Sequence, residues 1–512
     1  MLLPPSIFND VLGPVMRGPS SSHSAASVRI GRLARELAGE CFDHVLVEFD
    51  TNGSLATTHL TQGSDMGLWG GLLGWQADDP RLPESDQAIR NAGIATEIKI
   101  HHFGATHPNT YRLTLSKGTT HHQLVADSLG GGMIQVTQID GQPVQLHGDY
   151  RVSLLAGLTP EAVERLRCEI PDTVSIIHGP RWTVLVGVDF VSSQLARQIG
   201  ASQLRCLESV LPVPSLPEMQ LPFTSSQAML ESEASAQSLL SEYALQYETA
   251  RSGKQETDIL EMMKSISEVM RHSIECGLKG TESENRILGN QSRGYRQAMQ
   301  SNRLLQGDLL NQMVLYISAI MEAKSAMEVI VAAPTAGSCG TFAGVCLAAG
   351  EILKIEPEKQ LRAMLAGGLI GVFVATQSSF AAEVGGCQAE TGAGSAMAAA
   401  ALVEMQGGNT QTALAAASMA LQNVLGLVCD PVANRVEAPC LGRNISGASN
   451  AFVSANMALA GYDPVIPFDE VLEAHRQISQ SMPRELRCTA LGGLSITPTS
   501  LRIENELKVI PS

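Results

Sequence analysis

The pattern of apolar and polar positions changes character along the chain. In the first part, short runs with β-branched content or alternating polarity predict strands over 44–49, 96–103, 109–115 and 133–139. Apolar positions at helical spacing predict a helix over 24–37, and glycines at 130–132 and Asp140-Gly141 predict turns. We therefore expect an N-terminal α/β domain over residues 1–147.

Two further regions and a linker follow. Residues 148–205 run strand, helix, strand, strand, which predicts a small α/β unit, and the proline-rich residues 206–224 are an expected linker. Residues 225–512 have helical periodicity, first over 225–275 and then in apolar segments at 310–330, 361–376, 395–406, 410–424 and 446–460. The predicted fold is α+β with a large all-α C-terminal domain.

Composition and charge exclude several classes of protein. The net charge of −16 argues against a nucleic-acid partner or an anionic membrane surface. The apolar run 363–375 is too short to span a membrane, so a buried helix is expected. The ten cysteines lack the spacing of a disulfide framework, and MLLPPSIFND lacks the features of a signal peptide. We expect a cytoplasmic protein with reduced thiols.

Three cysteines lie in small-residue surroundings: Cys387, Cys429 and Cys440. No histidine occurs between His272 and His475, so a metal held here must rely on thiolates and carboxylates. Three thiolates are one short of a closed zinc or electron-transfer iron–sulfur site, and an open position suits Lewis-acid catalysis. The alternative is that each cysteine is a small apolar core residue. The spacings match neither a zinc ribbon nor a ferredoxin, so spacing alone leaves the choice open.

Two loops offer groups that could bind a carboxylate. Ser20, Ser21, Ser22 and His23 precede a predicted helix, whose N-terminal amides attract anions, whereas an ordinary cap would need only one serine. The loop over 333–344 resembles an anion-binding nest but lacks the lysine of a nucleotide P-loop, which favours a carboxylate over a phosphate.

Long stretches of sequence surround these residues: VLGPVMRGPSSSHSAASVRIGRLA, ATHPNTYRLTL, GGGMIQVTQIDG, APTAGSCGT, GCQAETGAGSAMAAAAL, NVLGLVCDPVANRVEAPCLGRN and LGGLSITP. Together they resemble the iron–sulfur-dependent L-serine dehydratase family, over almost the whole chain and in the order of a fused β-then-α arrangement. The resemblance implies a 4Fe-4S cluster held by Cys387, Cys429 and Cys440, with one iron left free to bind the substrate. It also implies deamination of L-serine, or of a close β-hydroxy amino acid such as threonine, to a 2-oxo acid and ammonia. A homodimer and an ACT-like middle unit are further expectations.

The same resemblance assigns roles to individual residues. His23 and His107 are candidates for acid–base work or substrate binding, and Arg443 and Asn444 would line or support the cluster pocket. The substrate carboxylate would be held by hydroxyls and amides of two loops, namely Ser20, Ser21, Ser22, Thr335, Ala336 and Gly337. Cys339 and Cys488 are expected to pack rather than ligate. The chain ends in LKVIPS, so we do not expect the terminal cysteine that occupies the cluster in some members.

One position departs from the family pattern. A motif that usually reads Gly-His-Gly/Ala-Thr-Asp is TQGSD here, so Gln62 stands at the histidine position. Glutamine cannot act as a general base, and His59, three residues upstream, is the substitute candidate. This departure keeps open a catalytically degenerate, amino-acid-binding regulator, although three cysteines argue against it. A pyridoxal-phosphate lyase is disfavoured because no lysine lies between positions 362 and 507.

Overall fold

The computed structural model describes residues 4–170, 173–216, 219–232, 238–282 and 286–509. The N-terminal region holds a six-stranded sheet in the order β3-β2-β4-β5-β6-β7, antiparallel except for the β2–β3 pair. Its elements are β1 (Val15–Met16), α1 (Ala26–Leu37), β2 (His44–Asp50), α2 (Leu55–Thr58), α3 (Ser64–Leu72), α4 (Ser85–Asn91), β3 (Ala95–His101), β4 (Thr110–Lys117), β5 (Thr120–Gly130), β6 (Met133–Ile139) and β7 (Gln142–Leu146).

The predicted strands of this region are confirmed as β2, β3, β4 and β6, and the predicted helix as α1. The sequence analysis missed β5 and β7. Strand β5 begins with the polar residues THHQ, and β7 contains a proline, so neither presents a strong apolar alternation. Both strands form because pairing within the sheet satisfies their backbone groups.

Helices α1 and α3 approach each other backbone to backbone. A Cβ atom on Gly71 would lie 2.2 Å from the carbonyl oxygen of Val28, and one on Gly67 would lie 2.3 Å from that of Ser24. Only glycine permits this distance, because a methyl group would overlap the opposite carbonyl. The contact fixes the turn before α1 against the turn before α3, and both turns contribute to the site described below.

Residues 151–207 form a second, four-stranded antiparallel sheet in the order β11-β8-β10-β9. Its elements are β8 (Arg151–Ala156), α5 (Pro160–Glu169), β9 (Thr173–His178), β10 (Trp182–Gly187), α6 (Ser193–Gln198) and β11 (Gln203–Leu207). The predicted strand-helix-strand-strand pattern is therefore extended by α6 and β11 into a split βαβ arrangement. One sheet face packs on α5 and α6, and the other packs against the N-terminal region.

The segment that follows was predicted as an extended linker over 206–224. Residues 206 and 207 are the last two residues of β11, so the predicted linker began two residues too early. The described residues 208–216 and 219–224 contain neither helix nor strand. Positions 217 and 218 lie outside the described residues. The division of the chain at 147, 205 and 224 stays a prediction.

The remaining chain is helical and surrounds α15, whose thirteen residues are all buried. Its elements are α7 (Ser226–Glu231), α8 (Leu240–Ser252), α9 (Glu256–Lys279), α10 (Gln291–Gln300), α11 (Asp308–Ser325), β12 (Ile330–Val331), α12 (Cys339–Ile352), α13 (Pro357–Gln377), α14 (Ala382–Gly385), α15 (Ala393–Met405), α16 (Thr410–Gln422), α17 (Cys440–Leu459), α18 (Phe468–Ser481) and α19 (Pro498–Val509). Strand β12 pairs with β1, which ties this region to the N-terminal one.

The apolar run 363–375 lies within α13 and is buried over most of its length, as predicted. None of the described helices is long and apolar enough to cross a membrane. The helix predicted over 310–330 ends at Ser325, and a second boundary was also wrong. The helix predicted from residue 446 begins at Cys440, so this cysteine is the first residue of a helix rather than part of a loop.

Candidate active site

The segment that carries Cys387 leads into the N-terminus of the central helix α15. Gly386 precedes it with a φ of 70°, and a Cβ at that position would lie 2.8 Å from the Leu427 carbonyl oxygen. Gln388 then joins this segment to the one that carries Cys429. Its backbone N–H donates to the Leu427 carbonyl at 2.9 Å, and its Oε1 accepts from the Gly426 N–H at 2.7 Å. Two segments 42 residues apart in sequence are thus held side by side.

The three candidate ligand cysteines are buried near one another. The ligand atoms of Cys387, Glu390 and Cys429 lie within 4.8 Å of one another, and Cys440 lies outside that group. All ten cysteines of the chain are unpaired. A hydrogen bond from Cys429 and the nearby Arg443 lower the pKa of the Cys387 thiol to about 7 against the effect of burial. Burial raises the pKa of Cys440, and the neighbouring Cys387 raises it further.

Arg443 supplies the positive charge beside these thiols. It lies on α17 one turn after Cys440, and its Nη1 donates to the Cys387 Sγ at 3.3 Å. Its Nη2 donates to Asp430, which follows Cys429. An N–H donor beside a cysteine sulfur stabilises the thiolate, the form that binds metals. We call Cys387, Cys429, Cys440, Arg443 and Glu390 the thiol wall.

Asn444 supports the loop over 335–341. Its Nδ2 donates to the Gly337 carbonyl at 2.8 Å and to the Cys440 carbonyl at 2.8 Å, and its Oδ1 accepts from the Thr341 N–H at 3.0 Å. The side chain is therefore fully engaged in joining this loop to α17. Thr335 Oγ1 in turn donates to Glu390 at 2.6 Å, so the predicted carboxylate-binding loop contacts the thiol wall.

The serine loop of the N-terminal region faces the same place. The Ala336 N–H donates to Ser21 Oγ at 3.1 Å, which joins the two predicted carboxylate-binding loops. His23 is completely buried, with Nδ1 3.0 Å from Ser20 Oγ and Nε2 2.8 Å from Thr58 Oγ1. Burial, with a smaller effect of His59, lowers the pKa of His23 to about 3, so its ring is neutral at pH 7.

Two carboxyl groups that the sequence analysis did not name belong to the site. Glu383 Oε1 lies 3.4 Å from His23 Nδ1, and its Oε2 has no hydrogen-bond partner among the described residues. Burial raises the pKa of Glu383. Burial and the adjacent Cys387 raise the pKa of Glu390 to about 8. The sequence did contain a signal for these two residues, because they are the acidic residues of an otherwise uncharged, small-residue segment around Cys387.

Gln62 lies in the site and contacts a fourth thiol. Its Nε2 is 3.5 Å from Cys488 Sγ and donates to Asn434 Oδ1 at 3.1 Å. Cys488 belongs to the same buried cluster as Cys387 and Cys429. The expectation that Cys488 only packs in the core therefore understates its position. Cys339 fits a packing role, because its Sγ is 3.8 Å from the Met321 sulfur. We call Ser20, Ser21, Ser22, His23, Thr58 and Gln62 the hydroxyl wall.

The other two candidate histidines have different surroundings. His59 is engaged by a carboxylate, with Nδ1 2.8 Å from Asp65 Oδ1, and its side chain is partly exposed. His107 Nδ1 accepts from the Asn109 N–H at 3.2 Å. Burial lowers the pKa of His107, and Asp127 opposes the shift. Neither histidine contacts a cysteine through a hydrogen bond in the part of the chain that the structure describes.

A buried lysine stands beside the thiol wall. Lys324 is completely inaccessible, and its Nζ donates to the Val436 carbonyl. Its charge lowers the pKa of Cys440 and of Glu390, although burial dominates both shifts. The lysine precedes the thiol segments by more than sixty positions, so proximity in sequence gave no signal.

Comparison with known proteins bears directly on this arrangement. The sequence model of the family described as "Serine dehydratase alpha chain" matches residues 225–495, which contain the whole thiol wall. The chain belongs to this family. A probable L-serine dehydratase alpha chain of Bacillus subtilis is 39% identical over 285 residues, covering 56% of this chain and 95% of that protein.

Two further relatives match other parts of the chain: a separate beta chain, and a protein that matches along nearly its whole length. A probable L-serine dehydratase beta chain of Bacillus subtilis is 38% identical over 195 residues, covering 38% of this chain and 78% of that protein. L-serine dehydratase 2 of Escherichia coli is 27% identical over 498 residues, covering 94% of this chain and 96% of that protein. The match to that last relative extends along nearly the full length of both chains, as expected for the single-chain form of the family.

Proposed function

We propose that this protein deaminates L-serine to pyruvate and ammonia, with a 4Fe-4S cluster held by Cys387, Cys429 and Cys440. The observation that carries the proposal is a group of three thiols, each less than 10% exposed, opposite a wall of hydroxyls and a neutral histidine. The names of relatives that match both regions of the chain support the same reaction.

The donor set fits an iron–sulfur cluster better than a zinc ion. The thiol wall offers sulfur ligands without a histidine, and Arg443 donates to one sulfur. When bound, the cluster would supply a Lewis acid that helps the β-hydroxyl of serine to leave. Lys324 and Arg443 would balance part of the negative charge that the thiolates and the cluster bring into a buried space.

The hydroxyl wall would bind and deprotonate the substrate. Ser20, Ser22 and the Gly337 amide are suited to a carboxylate, since they are uncharged donors at the start of helical segments, whereas the Ala336 N–H already donates to Ser21 Oγ. His23 is neutral, and Glu383 lies next to its Nδ1. We assign acceptance of the Cα proton to this pair rather than to the His23 ring alone, because a ring with a pKa of about 3 is a weak base. Loss of that proton and of hydroxide leaves an enamine, which hydrolyses to pyruvate and ammonia.

His59 and His107 are assigned smaller parts in the same reaction. His59 is held by Asp65 and acts on His23 through charge, whereas His107 lies beside Asn109 at the edge of the site. The buried side chain of Asn109 acts on Glu383, since it opposes the effect of burial, which raises the pKa of that carboxyl. Arg443 and Asn444 keep their proposed roles of supporting the thiol wall.

Anaerobic purification tests the proposal directly. The protein should be brown, contain about four iron atoms per chain as expected for one cluster, and form pyruvate from L-serine. Full activity in colourless, iron-free protein would contradict it. An absorption band of an aldimine that survives exposure to air would instead indicate pyridoxal-phosphate chemistry.

One observation favours a second candidate, the same reaction on another β-hydroxy amino acid. Gln62 and Cys488 form a contact where the family motif has a histidine, so the shape and polarity of this corner differ. Comparison of kcat/KM for L-serine and L-threonine measures the preference. Tight binding of amino acids with no turnover of any of them would favour a regulator.

Three further features of the proposal concern assembly and location. The split βαβ unit over 148–205 has the alternation expected of an ACT-like regulatory module. A cytoplasmic location suits ten unpaired cysteines. A homodimer is the proposed assembly, and sedimentation of the purified protein measures it.

A further inference from the structure

A second cavity lies where the three regions of the chain meet, away from the thiol wall. Its volume is about 450 Å³, within the usual range for small-molecule sites of about 300–1,000 Å³. The wall includes the turn between β7 and β8, the last turn of α8, and the segment between α13 and α14. Segments from all three regions therefore line one partly open cavity.

Two oppositely charged side chains line this cavity with unsatisfied atoms. Arg251 is 2% exposed, and its Nη1 has no hydrogen-bond partner among the described residues. Asp149 is 3% exposed, and its Oδ2 likewise has none in the described ranges. The two are not joined to each other by an ion pair within 4.0 Å. A buried polar atom that makes no hydrogen bond is unfavourable, so each of these two atoms can gain a partner from a polar ligand.

Two neighbouring carboxyl groups are already hydrogen-bonded. Glu248 accepts from Ser6 Oγ at 2.7 Å and from the Ile7 N–H at 2.9 Å, and Asp10 accepts from the Ser6 N–H at 2.8 Å. Arg251 uses its Nε on the Pro4 carbonyl and its Nη2 on Ser215. This leaves one unsatisfied nitrogen of Arg251 and one unsatisfied oxygen of Asp149 on the cavity wall, beside the His147 Nε2, which also lacks a partner among the described residues.

We propose that this cavity binds an α-amino acid with an apolar side chain. Arg251 Nη1 would donate to its carboxylate and Asp149 would accept from its ammonium group, while the side chain contacts Leu129, Leu221 and Phe380. The site is separate from the one proposed for serine and requires no cluster, so it goes beyond the proposed function.

The cavity also adjoins the catalytic segment. Ser378 and Phe380 belong to its wall, and the chain continues from Phe380 to Glu383 within three residues. Gly130, another lining residue, contacts this segment so closely that a Cβ there would lie 2.9 Å from the Ala381 backbone nitrogen. An amino acid in the cavity would therefore restrain the segment that positions Glu383 beside His23.

Calorimetric titration of the full-length protein with L-leucine, L-methionine and L-phenylalanine tests the proposal. At least one should bind, and its affinity should fall about tenfold or more when the carboxylate is replaced by an amide or the ammonium is removed. These ligand analogues need no variant, so the test does not depend on folding of a mutant. Absence of binding by all three, or equal binding of the analogues, overturns the proposal.

A matched pair of variants locates the binding. Asp149→Asn should weaken it about tenfold, whereas Asp189→Asn, a change at an exposed carboxylate of the middle unit, should leave it unchanged. Binding should also persist in the presence of saturating L-serine. Displacement by L-serine, or equal affinity in Asp149→Asn, would assign the ligand to another site.

Discussion

The thiol wall and the hydroxyl wall meet in one site but are built differently. The thiol wall combines three thiols with Arg443 and Glu390, and the buried Lys324 lies beside it, so positive charge is available on this side of the site. The hydroxyl wall holds three serines, a threonine, an amide and a histidine kept neutral by burial. We therefore assign metal binding to the thiol wall, and substrate binding and proton transfer to the hydroxyl wall. A substitution in one wall should impair its own role and leave the other intact.

The largest expected effect is on the thiol wall. Cys440→Ala removes one proposed cluster ligand, so iron content and serine turnover should both fall, turnover by about 100-fold or more. Iron analysis and pyruvate formation measure the two losses. Cys346→Ala, at a buried thiol of α12 that lies outside the metal-ligand group found among the described residues, is the matched control and should keep both. Retention of iron in Cys440→Ala would transfer the ligand role to another residue.

A substitution in the hydroxyl wall should lower serine turnover without lowering iron content. His23→Gln removes the proposed proton acceptor but preserves hydrogen-bonding capacity, so kcat should fall about 100-fold while iron content stays unchanged. His178→Gln is a suitable control, because His178 also pairs with a threonine hydroxyl but lies in the middle unit. Loss of iron in His23→Gln would show that the two walls are not independent.

These assignments indicate how far sequence could predict the molecule. Strands β2, β4 and β6 were predictable because their buried positions alternate, and α13 and α15 because their residues are apolar. The start of α17 could not be predicted, because Pro439 and Gly442, on either side of Cys440, are typical of a loop. Tertiary packing holds this turn, through Asn444 and its bonds to the Thr341 segment.

The site divides in the same way. The cysteines, Arg443 and the serine loop lie in long motifs that identify the family, so sequence named them. The fold brings Glu383, Lys324 and Cys488 close to the other site residues. Their spacing in the sequence does not predict which residues they contact. Contacts that join positions more than 400 residues apart, such as Gln62 with Cys488, arise from packing of whole regions.

A third prediction tests how the hydroxyl wall is held. Gly71→Ala places a methyl group against the Val28 carbonyl between α1 and α3, so the free energy of unfolding of the N-terminal region should fall by about 2–3 kcal/mol. Gly294→Ala, on an open face of α10, should be neutral or slightly stabilising. Denaturant unfolding measures both, and equal stabilities would show that the backbone contact can relax.

The smallest effect concerns the helix that supports the thiol wall. Glu404, near the end of α15, is buried, one of its oxygens lacks a partner among the described residues, and burial raises its pKa to about 7. The folded state therefore binds this proton more tightly than the unfolded state, and stability falls as pH rises from about 4.5 to about 7.

Glu404→Gln removes that penalty. The variant should be more stable than the parent by about 1–3 kcal/mol at pH 8 and nearly equal to it at pH 5. Thermal unfolding at the two pH values measures the difference. The exposed Glu470→Gln change provides the baseline. A gain at pH 5 as large as that at pH 8 would exclude ionisation of Glu404 as the cause.

The hydrogen bonds between the N-terminal region and the C-terminal helical region have a consequence for dilution. Ser21 with Ala336, Gln62 with Asn434 and Ser54 with Cys488 join residues that belong to one polypeptide here. Because the two partners are tethered, each meets the other at an effective concentration fixed by chain geometry, commonly in the millimolar range, rather than at the concentration of the protein in solution. The meeting of the two walls within one chain should therefore survive dilution to levels at which two separate subunits would dissociate.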